Sequence, residues 1–274
     1  MKKWYYFLIA FVLVAGSCKK DKGGEGGSDE ETYECLPKRL DYVDHNDATE
    51  NENTVYTYEK NRIKSKLRTF ASGRSYTYNY YYTDPDKGLL ERIDIVIDGD
   101  VVARVVYENQ NDLITHRKLQ VISVDGTQWF DAWDVSYTYD NNNKMVQIRI
   151  QDYDLWNDGA NPTDETGVYT YTGDNMTNSK WYDTNDMQTL KEEFTYEYDQ
   201  GKRVFDNVVT QTYPTTRVNN VTHVVHQVYL PSPSTEETFT TIQYNGKGFP
   251  TQFAVTDDRG NALNTQDVEY ENCD

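Results

Sequence analysis

The feature that most constrains this chain is a pair of aromatic residues, two positions apart, that returns along its whole length. Tyr56-Thr-Tyr58 leads through a polar turn to Ile63, and Tyr137-Thr-Tyr139-Asp140 leads through three asparagines to Met145. Tyr169-Thr-Tyr171 leads to Met176, and Tyr196-Glu-Tyr198-Asp199 leads through Gly201 to Val204. Weaker copies are Val105-Val-Tyr107 to Leu113 and Ile242-Gln-Tyr244 to Phe249, with a truncated one at Val268-Glu-Tyr270. Tyr78-Asn-Tyr80 fits with Asp84-Pro85-Asp86 as a longer turn, and the stretch Val221–Leu230 is expected to hide a degenerate copy. Self-similarity of this kind marks a repeated supersecondary unit. Residues two apart share one face of a strand, so each unit reads as a hairpin. Its tyrosines end the incoming strand, and the later apolar residue packs back across the pair.

The intervening sequence supports strands throughout. Tyr76, Tyr78, Tyr80 and Tyr82 alternate with Thr77 and Asn79, and Ile93, Ile95 and Ile97 alternate with polar residues. Trp129, Trp133, Val135, Tyr137 and Tyr139 share a parity. Period-2 runs rich in aromatic and β-branched residues are half-buried strands. Asp98-Gly99, Asp125-Gly126 and Asn245-Gly246 supply turn chemistry between them. No helical periodicity is sustained; at most one turn of helix is expected near Thr189–Glu193. The predicted fold is all-β: an antiparallel meander of about seven or eight hairpins, a width at which a twisted sheet curls or closes. The product is one rolled sheet, either a partly closed barrel or a superhelical sheet. A single domain over residues 33–274 follows.

Candidate chemistry is sparse. His223 and His226 are spaced as a helical metal pair would be, but three residues along a strand put them on opposite faces. Asp152, Asp154, Asn157 and Asp158 with Gly159 offer the oxygen ligands of a calcium loop, yet their spacing departs from the established loop pattern. A solvated hairpin loop is the simpler reading, and no metal or other cofactor is expected. No nucleophile elbow or separable carboxylate pair is present, so the chain is read as a non-enzyme. Twenty-four tyrosines among 274 residues are accounted for first by cross-strand packing. The tryptophans Trp129, Trp133, Trp156 and Trp181 are the candidates for an exposed platform that would stack on a sugar ring. The charge of −18 repels phosphate backbones and argues against nucleic-acid partners.

The N-terminus reads as an address. Met1-Lys2-Lys3, an apolar run from Trp4 and then Ala15-Gly16-Ser17-Cys18 form the three parts of a secretory signal, residues 1–17. The small residues before Cys18 resemble the lipobox of bacterial lipoproteins. That likeness implies a diacylated Cys18, cleavage before it, and a membrane partner held through N-terminal lipid. Residues 18–32, rich in Gly, Lys and acids, make a flexible tether. Cleavage would remove Lys2 and Lys3 and leave the mature chain more acidic still. With Cys18 lipidated, Cys35 and Cys273 bracket the domain, and in an oxidising compartment a disulfide between them is expected.

Tyr139-Asp140 and Tyr198-Asp199-Gln-Gly201-Lys-Arg203 resemble the YD-repeat, or rearrangement-hotspot, hairpin. Together with the leader, the chain is similar to Bacteroidota envelope lipoproteins with a YD-like domain of unassigned function. Large YD-repeat proteins build a shell around a toxin, which a chain of this length does not suggest. Two roles follow as expectations: an outer-membrane-anchored module, periplasmic or cell-surface, that binds a glycan or an envelope protein, or a scaffold lipoprotein of an envelope complex without a small-molecule ligand.

Overall fold

The computed structural model describes residues 33–153, 162–214 and 217–273. Sixteen antiparallel strands follow one another in chain order and close into a barrel. They are β1 (Leu36–Asp44), β2 (Glu52–Glu59), β3 (Arg62–Phe70), β4 (Ser75–Asp84), β5 (Leu89–Ile97), β6 (Asp100–Gln110), β7 (Leu113–Ile122) and β8 (Trp129–Tyr139). The second half comprises β9 (Met145–Asp152), β10 (Thr163–Thr172), β11 (Asn175–Asp183), β12 (Asp186–Tyr198), β13 (Val221–Val228), β14 (Ser234–Tyr244), β15 (Pro250–Asp257) and β16 (Ala262–Glu271). The seam is β1 on β16, paired from Leu36 against Glu271 to Asp44 against Asn264 with a register shift between Pro37 and Arg39. Cys35 and Cys273 are disulfide-bonded beside it. Full closure removes both sheet edges, which otherwise would invite pairing with other chains. The segment Thr189–Glu193, where one helical turn was expected, lies in β12; among the described residues the helical turn is a 3-10 turn at Ala48–Glu50.

The repeat turns all lie at one end, and there the tyrosines have a specific task. Tyr58, Tyr82, Tyr139, Tyr171 and Tyr270 donate their hydroxyls to the backbone carbonyls of Pro37, Ile63, Ile114, Met145 and Pro250 at 2.5–2.8 Å. Tyr198 donates likewise to the Met176 carbonyl. In each case an even-numbered strand end clips the start of the odd-numbered strand in the preceding hairpin. On β6 the clip is Asn109, whose Nδ2 donates to the Leu90 carbonyl at 2.7 Å. The pairs are therefore Tyr80-x-Tyr82 and Tyr107-x-Asn109, two residues beyond where sequence spacing placed them, and the buried apolar residue after β6 is Ile114, not Leu113. The aspartate after a clip caps its turn: Asp140 Oδ1 accepts from the amides of Asn142 and Lys144 at 2.8 and 2.9 Å.

The eighth clip, that of β14 on the start of β13, is missing because the chain leaves the wall between β12 and β13. After Tyr198 it does not turn straight back: the strand that pairs with β12 is β13, Val221–Val228. Val204 is thus not a hairpin residue, and the expected degenerate copy is this return strand preceded by a long insertion. Val204, Phe205 and Val208 of the insertion bury against Leu36, Leu40, Ile63 and Val268, with Tyr56, Tyr58 and Tyr270 around them. The Thr210 hydroxyl accepts from the Ile63 amide at 2.9 Å and meets the Tyr82 hydroxyl at 2.6 Å. Farther on, Gln211 N donates to the Gly88 carbonyl at 2.9 Å. Gly88, at φ +68°, has no room for a Cβ beside the Val209 backbone. The insertion thus runs from β12 to the turns of β2–β3 and β4–β5 and plugs this end. A 16-stranded wall encloses more space than its own side chains fill; the plug supplies the missing core. Tyr244 of β14, which would complete the clips, donates instead to Asp199 at the plug's root.

Candidate functional site in the barrel lumen

The plug identifies which strand faces point inward, since its side chains meet Tyr56, Tyr82 and Arg117. On that parity the register sets Ile93, Val105, Leu119 and Trp133 in one row across β5 to β8. Tyr107, Arg117, Val135 and Ile150 form the next row, across β6 to β9. Val135 and Tyr107 are buried, whereas Val105, Leu119, Trp133, Ile150, Tyr169 and Trp181 are only half-buried. Across β5 to β11 the inner face beyond the plug is thus aromatic and aliphatic with several side chains half-buried, whereas around β2, β3, β12 and β13 the same face is polar, with Arg68 bonded to Glu52, Lys66 beside them, and His226 meeting Glu192. Gly167 is part of that lining: a Cβ there would stand 2.9 Å from Ile148 Cγ2 and 3.1 Å from the Trp181 ring, so its absence seats the indole.

Arg117 is the chemically unusual group in this lining. Its guanidinium lies 3.9 Å from the ring centroid of Tyr213 on the plug, 5.0 Å from Trp133 and 5.9 Å from Tyr137. Its Nε is sealed from solvent with no acceptor among the described residues, and so is the Tyr137 hydroxyl. No carboxylate among the described residues pairs with it. The remaining groups around it, Tyr107 and Tyr169, are also neutral phenols; burial pushes the hydroxyl pKa of Tyr107, Tyr137 and Tyr169 above the ordinary tyrosine range. Farther along the same row as Ile150, Glu165 is taken by Lys191 at 2.8 Å. Cation–π contact returns roughly 2 kcal/mol for a desolvated cation. An unpaired buried charge costs several kcal/mol; Arg117 is half-buried, and its sealed Nε bears part of that cost. On β3, Lys66 stands 4.1 Å from the Tyr78 ring centroid. Burial, with Arg68 nearby, lowers its ammonium to about 8.

The outer wall has the opposite character. Arg92 pairs with Asp94 at 2.8 Å, Arg104 bonds Gln120 and Gln120 bonds Asp131 at 2.7 Å each. Lys118 meets Asp134 at 3.3 Å, Arg149 donates to Asp164 at 2.9 Å, and Asn178 donates to Glu193 at 2.8 Å. These pairs sit mid-strand on consecutive members of the wall. A lipid-facing barrel instead shows an apolar band about 25 Å tall, and a charged residue at its midplane costs about 2–4 kcal/mol.

The residues singled out from sequence do not form one site. Trp133 and Trp181 face the lumen among the core tyrosines, not solvent. Trp129 points the other way: Ala132 is an extra residue, since Leu119 opposes Trp133 while Gln120 opposes Asp131. That bulge moves Trp129 to the outer wall, where the Arg104 guanidinium covers it at 4.1 Å. A shared tryptophan platform on the surface is therefore absent among the described residues. Trp156, Asp154, Asn157 and Asp158 lie outside the described residues, as do the signal, Cys18 and the tether; Asp152 ends β9. His223 stacks on Phe239 and His226 on Phe194, on opposite faces. No cluster of metal-ligating residues is present among those described. Sequence reasoning missed Arg117 because a lone arginine on a strand carries no local mark.

No family model and no curated protein matches this chain. Solved structures share its shape. A porin-like protein from Bacteroides vulgatus ATCC 8482 superposes with a TM-score of 0.55 at 11% identity, covering 87% of this chain and 99% of its own. A porin-like protein from Bacteroides uniformis ATCC 8492 gives 0.51 at 13% identity, covering 85% and 96%. The chain shares with both a large antiparallel barrel fold.

Proposed function

We propose that this is a cell-envelope binding protein that houses its ligand inside the barrel, anchored to the membrane by lipid and not spanning it as a pore. The observation that carries this reading is the outer wall: charged pairs face outward at mid-strand where a bilayer would require an apolar band, while one sector of the inner face, β5 to β11, presents half-buried aromatic and aliphatic side chains. The signal-like leader with Cys18, and the Bacteroides origin of the structures with this fold, support an outer-membrane address. A lumen of this lining suits an apolar or aromatic body and offers no surface tryptophan platform for a glycan. The role is binding without catalysis.

Two measurements test it. The full-length protein added to planar bilayers is expected to give no stepwise conductance, and steps would overturn the reading. The barrel, residues 33–274, whose wall, plug and disulfide are complete without the leader, is expected to bind the neutral probe N-phenyl-1-naphthylamine saturably. Ile150→Trp, which fills the lumen, is expected to abolish that fluorescence.

A further inference from the structure

We infer that the ligand is an amphiphile with a single negative charge, a carboxylate head on an apolar body, and that Arg117 receives the head. This rests on the lumen-binding reading and specifies its chemistry. The Arg117 Nε and the Tyr137 hydroxyl present hydrogen-bond donors in one part of the lumen, and no described residue offers either an acceptor. Donors left dry and unpaired in a folded interior are costly, and a guanidinium is matched in shape and charge by a carboxylate, which it binds through two parallel bonds. A neutral ligand would exclude water from Arg117 without satisfying it, and a cation would be repelled.

Charge count favours one negative charge over two. The groups around Arg117 are Trp133, Tyr107, Tyr137, Tyr169 and Tyr213, and none is cationic. A phosphate monoester would bring a second charge with nothing to neutralise it. The chain as a whole carries −18, so its general field does not gather anions; a preference for one must come from this local arrangement. The body of the ligand has a defined place as well. Val135 and Ile150 continue the row of Arg117 across the wall, and Trp133 covers its neighbour row. A chain leaving the guanidinium along these rows passes the buried Val135 and meets the half-buried Ile150 and Trp133.

The test is competition on the barrel, residues 33–274, with bound N-phenyl-1-naphthylamine as reporter and dodecanoate, dodecanol and dodecyl phosphate as competitors. Dodecanoate is expected to displace the probe at about tenfold lower concentration than dodecanol, the factor a charge-assisted hydrogen bond supplies, with dodecyl phosphate weaker than dodecanoate. Arg117→Met is expected to erase that preference in a barrel that still binds the probe, and to raise the melting temperature of the ligand-free barrel. Tyr137→Phe is expected to narrow the preference. Equal displacement by acid and alcohol, a preference that survives Arg117→Met, or tighter binding of the phosphate would overturn the inference. Calorimetric titration with dodecanoate separates the two readings. Heat from dodecanoate with a silent probe counts against a lumen for neutral apolar bodies alone, whereas absence of heat overturns the carboxylate site.

Discussion

The two ends of this lumen are built from the same repeat and differ in how its groups are satisfied. At the plugged end every tyrosine that closes a hairpin, Tyr244 excepted, reaches a backbone carbonyl, and Phe205 and Val208 fill the space between the walls. One turn of sequence earlier on the same strands, the partner tyrosine of each pair has no such carbonyl. Tyr137 sits two residues before the clip Tyr139 and its hydroxyl is bare. The same side chain therefore serves as a fastening at one level and as lining at the next. What separates them is reach: only the strand-end position lies beside the carbonyl that starts the neighbouring hairpin. Stability resides in the first set, and the proposed binding of a guest would draw on the second.

Alkali gives the largest expected effect on this contrast. Burial raises the folded-state pKa of Tyr58, Tyr82, Tyr139, Tyr171, Tyr198 and Tyr270, while unfolded tyrosines ionise near 10. Above that pH the folded chain holds more protons than the unfolded one. Its stability is then intact below about pH 10 and lost above it, by roughly 1.4 kcal/mol per tyrosine for each pH unit. Circular dichroism is expected to show one steep transition above pH 10. Lys66 acts with the opposite sign, since its lowered value of about 8 makes its neutral form the better fit and adds stability as pH rises from about 8 toward 10.4, the ordinary lysine value. A gradual decline beginning below pH 9 would contradict both assignments.

Truncation at the two levels gives the next largest difference. Phe205→Ala removes packed core from the plug and is expected to cost about 3–5 kcal/mol. Ile150→Ala, on a side chain that is only half-buried, is expected to cost well under half of that, because little contact is lost. Urea midpoints compare the two, and equal losses would mean that the far lumen is as tightly packed as the plug.

The smallest effect isolates a single hydroxyl. Tyr139→Phe breaks a clip and strands the Ile114 carbonyl, with an expected loss of about 1–2 kcal/mol. Tyr137→Phe, two residues away, removes a hydroxyl that has no partner and is expected to leave the ligand-free barrel unchanged or slightly more stable. A paired thermal-melt comparison reads both, and similar losses would remove the distinction between fastening and lining tyrosines.

Much of the wall was legible because its causes are local. Period-2 alternation and Asp or Asn turns depend on residues within a few positions, and Asp98-Gly99 adopts the paired positive φ that a tight hairpin needs. The turn after Tyr244 kept its place but not its detail: positive φ falls on Gly248, while Asn245 Oδ1 holds the amides of Lys247 and Phe249. Trp129 was misplaced for one physical reason. A single extra residue at Ala132 inverts the parity of everything before it, and a bulge of that kind has no signature in alternation. Arg117 was invisible for another, since its neighbours Tyr107, Tyr137, Tyr169 and Tyr213 come from three other strands and the plug.

The amino-acid sequence alone determined that this chain makes antiparallel hairpins, where most of them turn, and which cysteines bracket the domain, because these depend on short-range sterics and on period. Tertiary structure decided that the sheet closes on itself, that residues after Tyr198 fill one end, and that an unpaired guanidinium faces the space left over. Those outcomes depend on the width of a 16-stranded ring, which no single hairpin carries, and on which side chains that ring brings face to face.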